Sequence, residues 1–116
     1  MLLIDLETLG ITVSRGDFSS LRFSLLTGTE PYCLDFGDKV CFSVKKNPND
    51  KNLLIALEAE NPGESFVDII LSEGMLTPLP FGVYSYDIRL RFADGHLWTP
   101  PPFPAPFVVK EVIGNG

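Results

Sequence analysis

Along most of the chain apolar and polar residues alternate one by one, the pattern of strands with one face buried and the other wet. The run VYSYDIRLRF is the clearest case. Tyr84, Tyr86, Ile88, Leu90 and Phe92 share one face, and Ser85, Asp87, Arg89 and Arg91 share the other. KVCFSVKK sets Val40, Phe42 and Val44 against Cys41, Ser43 and Lys45 in the same way, and FSSLRFSLL sets Leu21, Phe23 and Leu25 against Ser20, Arg22 and Ser24. ITVSR (11–15) predicts a short first strand, SFVDIILS a β-branched one, HLWT a partner for the long tyrosine strand, and FVVKEVI the last strand. Asp94-Gly95 lies between two extended runs and predicts a tight hairpin with positive φ at both central residues.

LLIALEAEN supports two readings. Leu53, Ile55, Leu57 and Ala59 alternate as in a strand, whereas Leu, Ala and Glu are strong helix formers. Nine residues closed by Asn61-Pro62-Gly63 are short for a helix, and the strand is favoured. EGMLTPLPFG holds two prolines and two glycines and predicts a connection with room for one helical turn, while TGTEPY and NPNDKN predict turns. The expectation is an all-β fold, an antiparallel immunoglobulin-like β-sandwich of about seven to eight strands, with a small barrel as the competing architecture. No repeat or linker divides the chain, so 1–116 is expected to form a single domain, with 1–10 an N-terminal segment that packs loosely.

Composition narrows the function classes. At 116 residues and 45% apolar content there is enough to build a core. Nine basic residues scattered among fifteen acidic ones, net −6, argue against a nucleic-acid partner. The longest apolar runs of four or five residues fall far short of the roughly twenty a membrane helix needs, so no membrane is expected as a partner either. The start MLLIDLETLG lacks the basic flank of a signal peptide.

Candidate chemistry is sparse. Cys33 and Cys41 allow one disulfide, but two cysteines are no framework, and free thiols are the ordinary reading. His96 is the only histidine, and with two cysteines eight residues apart it does not give the four-ligand spacing of a zinc site. Asp35-Phe36-Gly37 matches the magnesium-binding tripeptide of protein kinases, yet a chain this short cannot hold that fold, so a turn is the reading. Most carboxylates fall at turns (Asp17, Asp35, Asp38, Asp50, Asp94) or on polar strand faces (Asp68, Asp87), where solvation explains them better than acid–base chemistry or calcium. The expected protein is not an enzyme, with no catalytic, cofactor-binding or metal-binding residue and no cofactor.

Two stretches carry a family resemblance: GDFSSLRFSLL followed by EPYCLDFGDKVCFSVKKNPND, and LPFGVYSYDIRLRFADG (79–95). They resemble the N-terminal domain of phage baseplate upper proteins and related tail-associated immunoglobulin-like domains, over about 11–112. That resemblance implies a structural role, attaching a receptor-binding part to the distal tail. Other tail or baseplate proteins, or further copies of the chain, would be the partners. It also implies a protein made in the bacterial cytoplasm and carried in the virion tail. The proline cluster is heavier here than the family pattern leads one to expect.

Five prolines fall within 100–106. Proline has no amide hydrogen and survives in sheets only on edges, at strand starts or in bulges. The cluster therefore predicts an extended edge segment that blocks further pairing, with Phe103 and Phe107 dropped onto the core. The other readings are a polyproline ligand and a docking surface, the latter formed by Trp98, Pro101, Phe103, Pro104 and Phe107. An alternative function is a carbohydrate- or cell-surface-binding module that stacks sugars on Trp98, Phe103, Tyr32 and Phe81. A small hydrolase would require His96 to be buried beside Cys or carboxylates.

Overall fold

In the computed structural model, residues 3–4, 10–14, 19–27, 30–76, 78–99 and 104–110 are described. They form eleven strand segments, β1 (Leu3–Ile4), β2 (Ile11–Ser14), β3 (Ser19–Ser24), β4 (Leu26–Thr27), β5 (Glu30–Pro31), β6 (Lys39–Lys45), β7 (Ile55–Ala59), β8 (Phe66–Leu71), β9 (Gly82–Arg91), β10 (Leu97–Trp98) and β11 (Ala105–Lys110), and one helical turn, α1 (Glu73–Leu76). The count exceeds the seven or eight expected because several segments are only two residues long. Leu53–Asn61 resolves in favour of a strand, and the Gly/Pro-rich connection does hold one helical turn. The fold is mostly β and does not close into a barrel.

The large sheet has the order β1-β2-β11-β9-β6-β7, with β10 also on β9; β3 pairs with β8, and β4 with β5. Every pairing is antiparallel except that of β2 with β11, which is parallel, Phe107 opposite Ile11. Parallel neighbours need a long crossover, and here nearly the whole chain lies between the two strands. Leu3 and Ile4, in the segment expected to pack loosely, pair with Thr12 and Ile11.

Alternation does what the pattern predicts along β6 and β9, and β8 alternates in the same way. Val40, Phe42 and Val44 of β6, Tyr84, Tyr86, Ile88 and Leu90 of β9, and Val67, Ile69 and Leu71 of β8 all point into one core. Its centre is aromatic. Phe42 lies 5.5 Å from Tyr86 and 6.2 Å from Phe107 between ring centroids, and Phe23 of β3 reaches Phe42 at 6.4 Å. The β3–β8 pair therefore shares its core with the large sheet.

Two details depart from expectation. The β9–β10 connection is a three-residue loop, Ala93 to Gly95, closed by the Phe92 amide on the His96 carbonyl (2.8 Å) and the Gly95 amide on the Phe92 carbonyl (2.9 Å). Gly95 takes the left-handed position, with φ +96°. The second concerns the prolines. β10 and β11 lie on the same edge of β9, but Trp98 faces Leu90 and Ala105 faces Tyr86. The chain advances seven residues while its partner retreats four, so the register shifts by three across the proline cluster. Pro106 is inside β11, an interior strand rather than an edge. It pairs with Ser85 on one side, and the ladder to β2 begins only at the next residue, Phe107. A residue without an amide hydrogen is tolerated where only one neighbour is in place.

Candidate interaction surface

The turn between β5 and β6 is organised by one carboxylate. Asp38, 2% exposed, accepts hydrogen bonds from the Tyr32 hydroxyl (3.1 Å) and the Asp35 amide (3.0 Å) on Oδ2, and from the Ala93 amide (3.0 Å) on Oδ1. The Asp38 amide closes the turn on the Asp35 carbonyl at 3.1 Å. Gly37 adopts φ +96°, and a Cβ added there would stand 3.1 Å from the Ala93 side chain. Backbone freedom and close approach thus both favour glycine at this point. The turn is clamped to the β9–β10 loop, and at its tip Phe36 is 89% exposed. Turn composition predicts solvated carboxylates at Asp35 and Asp38. Asp35 is exposed, but Asp38 is the buried hub. The Tyr32 ring stands edge-on to Phe92 at 6.3 Å, and burial, with Asp38 beside it, pushes its hydroxyl pKa up.

The residues proposed from sequence as a docking surface separate. Trp98 is 47% exposed beside exposed Leu97, and Pro104 is exposed. Phe107 is fully buried and belongs to the core, because its place in the alternation of β11 sets it opposite Tyr84 and Ile11. Pro101 and Phe103 lie outside the described residues. Of the candidate sugar-stacking rings, Phe81 is exposed, whereas Tyr32 is partly buried with its hydroxyl engaged. Sequence patterning passed over Phe36 and Val83. Phe36 sits in a turn, where no periodicity marks which way a side chain points. Val83, 61% exposed, lies on the wet face of β9.

On that wet face Glu58 accepts from Arg91 at 3.0 Å and lies 3.7 Å from Lys39. The Cys41 thiol lies beside it, and burial followed by the charge of Glu58 pushes its pKa up, which makes it a poor nucleophile. Cys33 and Cys41 are both free. His96 Nδ1 is 2.8 Å from Asp94 Oδ2 on the exposed hairpin, where hydrogen bonds from the His96 amide and ring hold the Asp94 carboxyl below its ordinary value. Asp87 was expected to be solvated. It is buried instead; its Oδ1 has no hydrogen-bond partner, and Oδ2 is 3.9 Å from Arg89. Among the described residues, no group of His, Cys, Asp and Glu could hold a metal ion, and no helix is long and apolar enough to cross a membrane.

Open, largely apolar pockets interrupt the surface. One of about 340 Å³, at the far end of β6 from Phe36, is lined by Pro48, Val83, Tyr84, Pro104 and Pro106 with Lys46 at its rim. Another, of about 360 Å³, lies on the wet face between Cys41, Leu53, Arg89 and Leu97. Searches of family models, curated proteins and solved structures found no match to this chain.

Proposed function

We propose that this chain is a non-enzymatic structural component of a phage or prophage tail, made in the bacterial cytoplasm and carried in the virion. It would dock other tail or baseplate proteins through apolar loops on an immunoglobulin-like β-sandwich. Two features support the finer fold. The run β2-β11-β9-β6-β7, with β2 parallel to β11 and β3–β8 opposite, follows the strand order of a variable-type immunoglobulin sheet. Near the start of β9 the Tyr84 hydroxyl donates to the Pro80 carbonyl at 2.5 Å, as a tyrosine corner does. On this reading Phe36 and the β9–β10 hairpin occupy the end of the sandwich where such domains carry their binding loops.

The observation that carries the docking role is Phe36. A phenyl ring held in water by a turn with four hydrogen bonds around Asp38 is the form of a binding anchor. Co-expression with the products of neighbouring genes, followed by size-exclusion chromatography with light scattering, tests this reading. A co-eluting complex supports it; failure to associate with any of them removes the tail role. Half-exposed Trp98 favours the carbohydrate-binding alternative, for which glycan-array binding lost in Trp98→Ala is the corresponding result.

A further inference from the structure

The two ends of β6 have complementary chemistry. Before Lys39 stands the clamped turn, with Phe36 at its tip, Asp35 exposed next to it, and the Asp94 carboxylate on the hairpin loop that the turn touches. Asp94 keeps its charge, since its carboxyl is held below the ordinary value. Roughly 20 Å further along the strand, after Lys45, lies the proline-walled pocket of about 340 Å³. Tyr84 and Ala105 floor it, Val83 is its exposed wall, and Lys46 holds its ammonium 4.8 Å from the centre of the Tyr84 ring. Neither Lys45 nor Lys46 has an ion-pair partner among the described residues. Lys51 and Lys110 lie at the same end, by the loop that follows β6 and the register of β11 beyond Gly82. The lysine at the acidic end is not free in this way, since Lys39 is engaged by Glu58 and Glu60.

We infer that a second copy of this chain is the occupant of that pocket. Copies associate head to tail, with Phe36 of one molecule entering the Pro48–Val83–Tyr84–Pro106 pocket of the next and Asp35 and Asp94 facing Lys45 and Lys46. The inference rests on the reading of the chain as an assembly component and names the surfaces involved. Size and polarity fit, because an exposed aromatic ring meets a mainly apolar hollow whose prolines offer flat, rigid walls. Charge selects the orientation, because like ends repel and unlike ends attract. Knob and pocket are different surfaces at opposite ends, so the contact is heterologous. It leaves a free knob and a free pocket on every dimer and continues into a ring or a filament. The pocket on the wet face is less suited to the knob, since Arg89 at its rim already faces Asp87 and Glu58 lines it.

Sedimentation velocity of the full chain over a range of concentrations tests this, with Phe36→Ser as the knobless variant and Lys46→Glu as the variant with a reversed pocket rim. Both positions are exposed, and circular dichroism identical to the parent confirms that each variant folds. The parent is expected to gain mass with concentration and to lose it with added salt. Each variant alone should associate more than about tenfold more weakly. Mixing the two should restore one intact knob-and-pocket contact and give a capped complex of twice 12.8 kDa that grows no further. A monomeric parent, association unchanged in either variant, or a mixture that stays monomeric each overturns the inference. A parent that is monomeric alone yet binds neighbouring gene products sinks this contact and leaves the docking role standing; a chain that binds neither loses both.

Discussion

Asp38 ties three groups together with one carboxylate, the Tyr32 hydroxyl and the Asp35 amide of its own turn and the hairpin amide of Ala93. Removing it leaves two partly buried amides and a hydroxyl short of an acceptor, and hydrogen bonds to a charged group are among the stronger ones. Asp38→Ala should therefore cost about 2–4 kcal/mol in urea unfolding, far more than truncating Asp35, whose side chain is exposed. Tyr86 provides a pH test. Burial pushes its phenol up to about 12 from an ordinary 10.0. The fold favours the protonated ring, so its contribution is complete below pH 10.0 and fades as pH rises toward 12. Chemical denaturation across this range should show stability falling, with a shallower fall in Tyr86→Phe.

The β9–β10 hairpin depends on Gly95, whose φ of +96° lies in the left-handed region, with nothing within 4 Å of the position a Cβ would take. Gly95→Ala should therefore cost about 1–2 kcal/mol through backbone strain alone, without a clash. The β3–β8 ladder is tied on its wet face by Arg22, which donates to both oxygens of Asp68 at 2.9 and 3.2 Å and stands 4.0 Å above the Phe66 ring. The hydrogen bond from Arg22 holds the Asp68 carboxyl below its ordinary 3.8. The support is complete above pH 3.8 and is lost as pH falls through the lowered value. Both side chains are exposed, so the effect is small, and Asp68→Asn should flatten the acid limb of a stability–pH curve rather than shift its plateau. The strands were legible in the sequence because period-two alternation is a local property of neighbouring residues. The hairpin loop was legible only as a turn: Asp94-Gly95 marks where the chain reverses, but loop length follows from the register of Leu97 on Arg91, which depends on both strands.

In the molecule as a whole, stability concentrates in the aromatic centre, where Phe42 meets Tyr86, Phe107 and Phe23. Phe42→Ala should destabilise by about 3–5 kcal/mol, through lost burial and the cavity left among three rings. Equilibrium unfolding would check this, with an unchanged denaturant slope showing that the native state is kept. The sequence by itself determined which residues face inward along β6 and β9, and that the fold is mostly strand, because burial of alternate side chains is written residue by residue. Only the tertiary structure decided that β2 runs parallel to β11, that Pro106 sits in an interior strand, that Asp38 is buried while Asp35 is not, and that Phe36 stands in water at one end of β6 while a proline-walled pocket opens at the other. Each of these depends on segments tens of residues apart meeting in space, and local alternation carries no information about which segments meet.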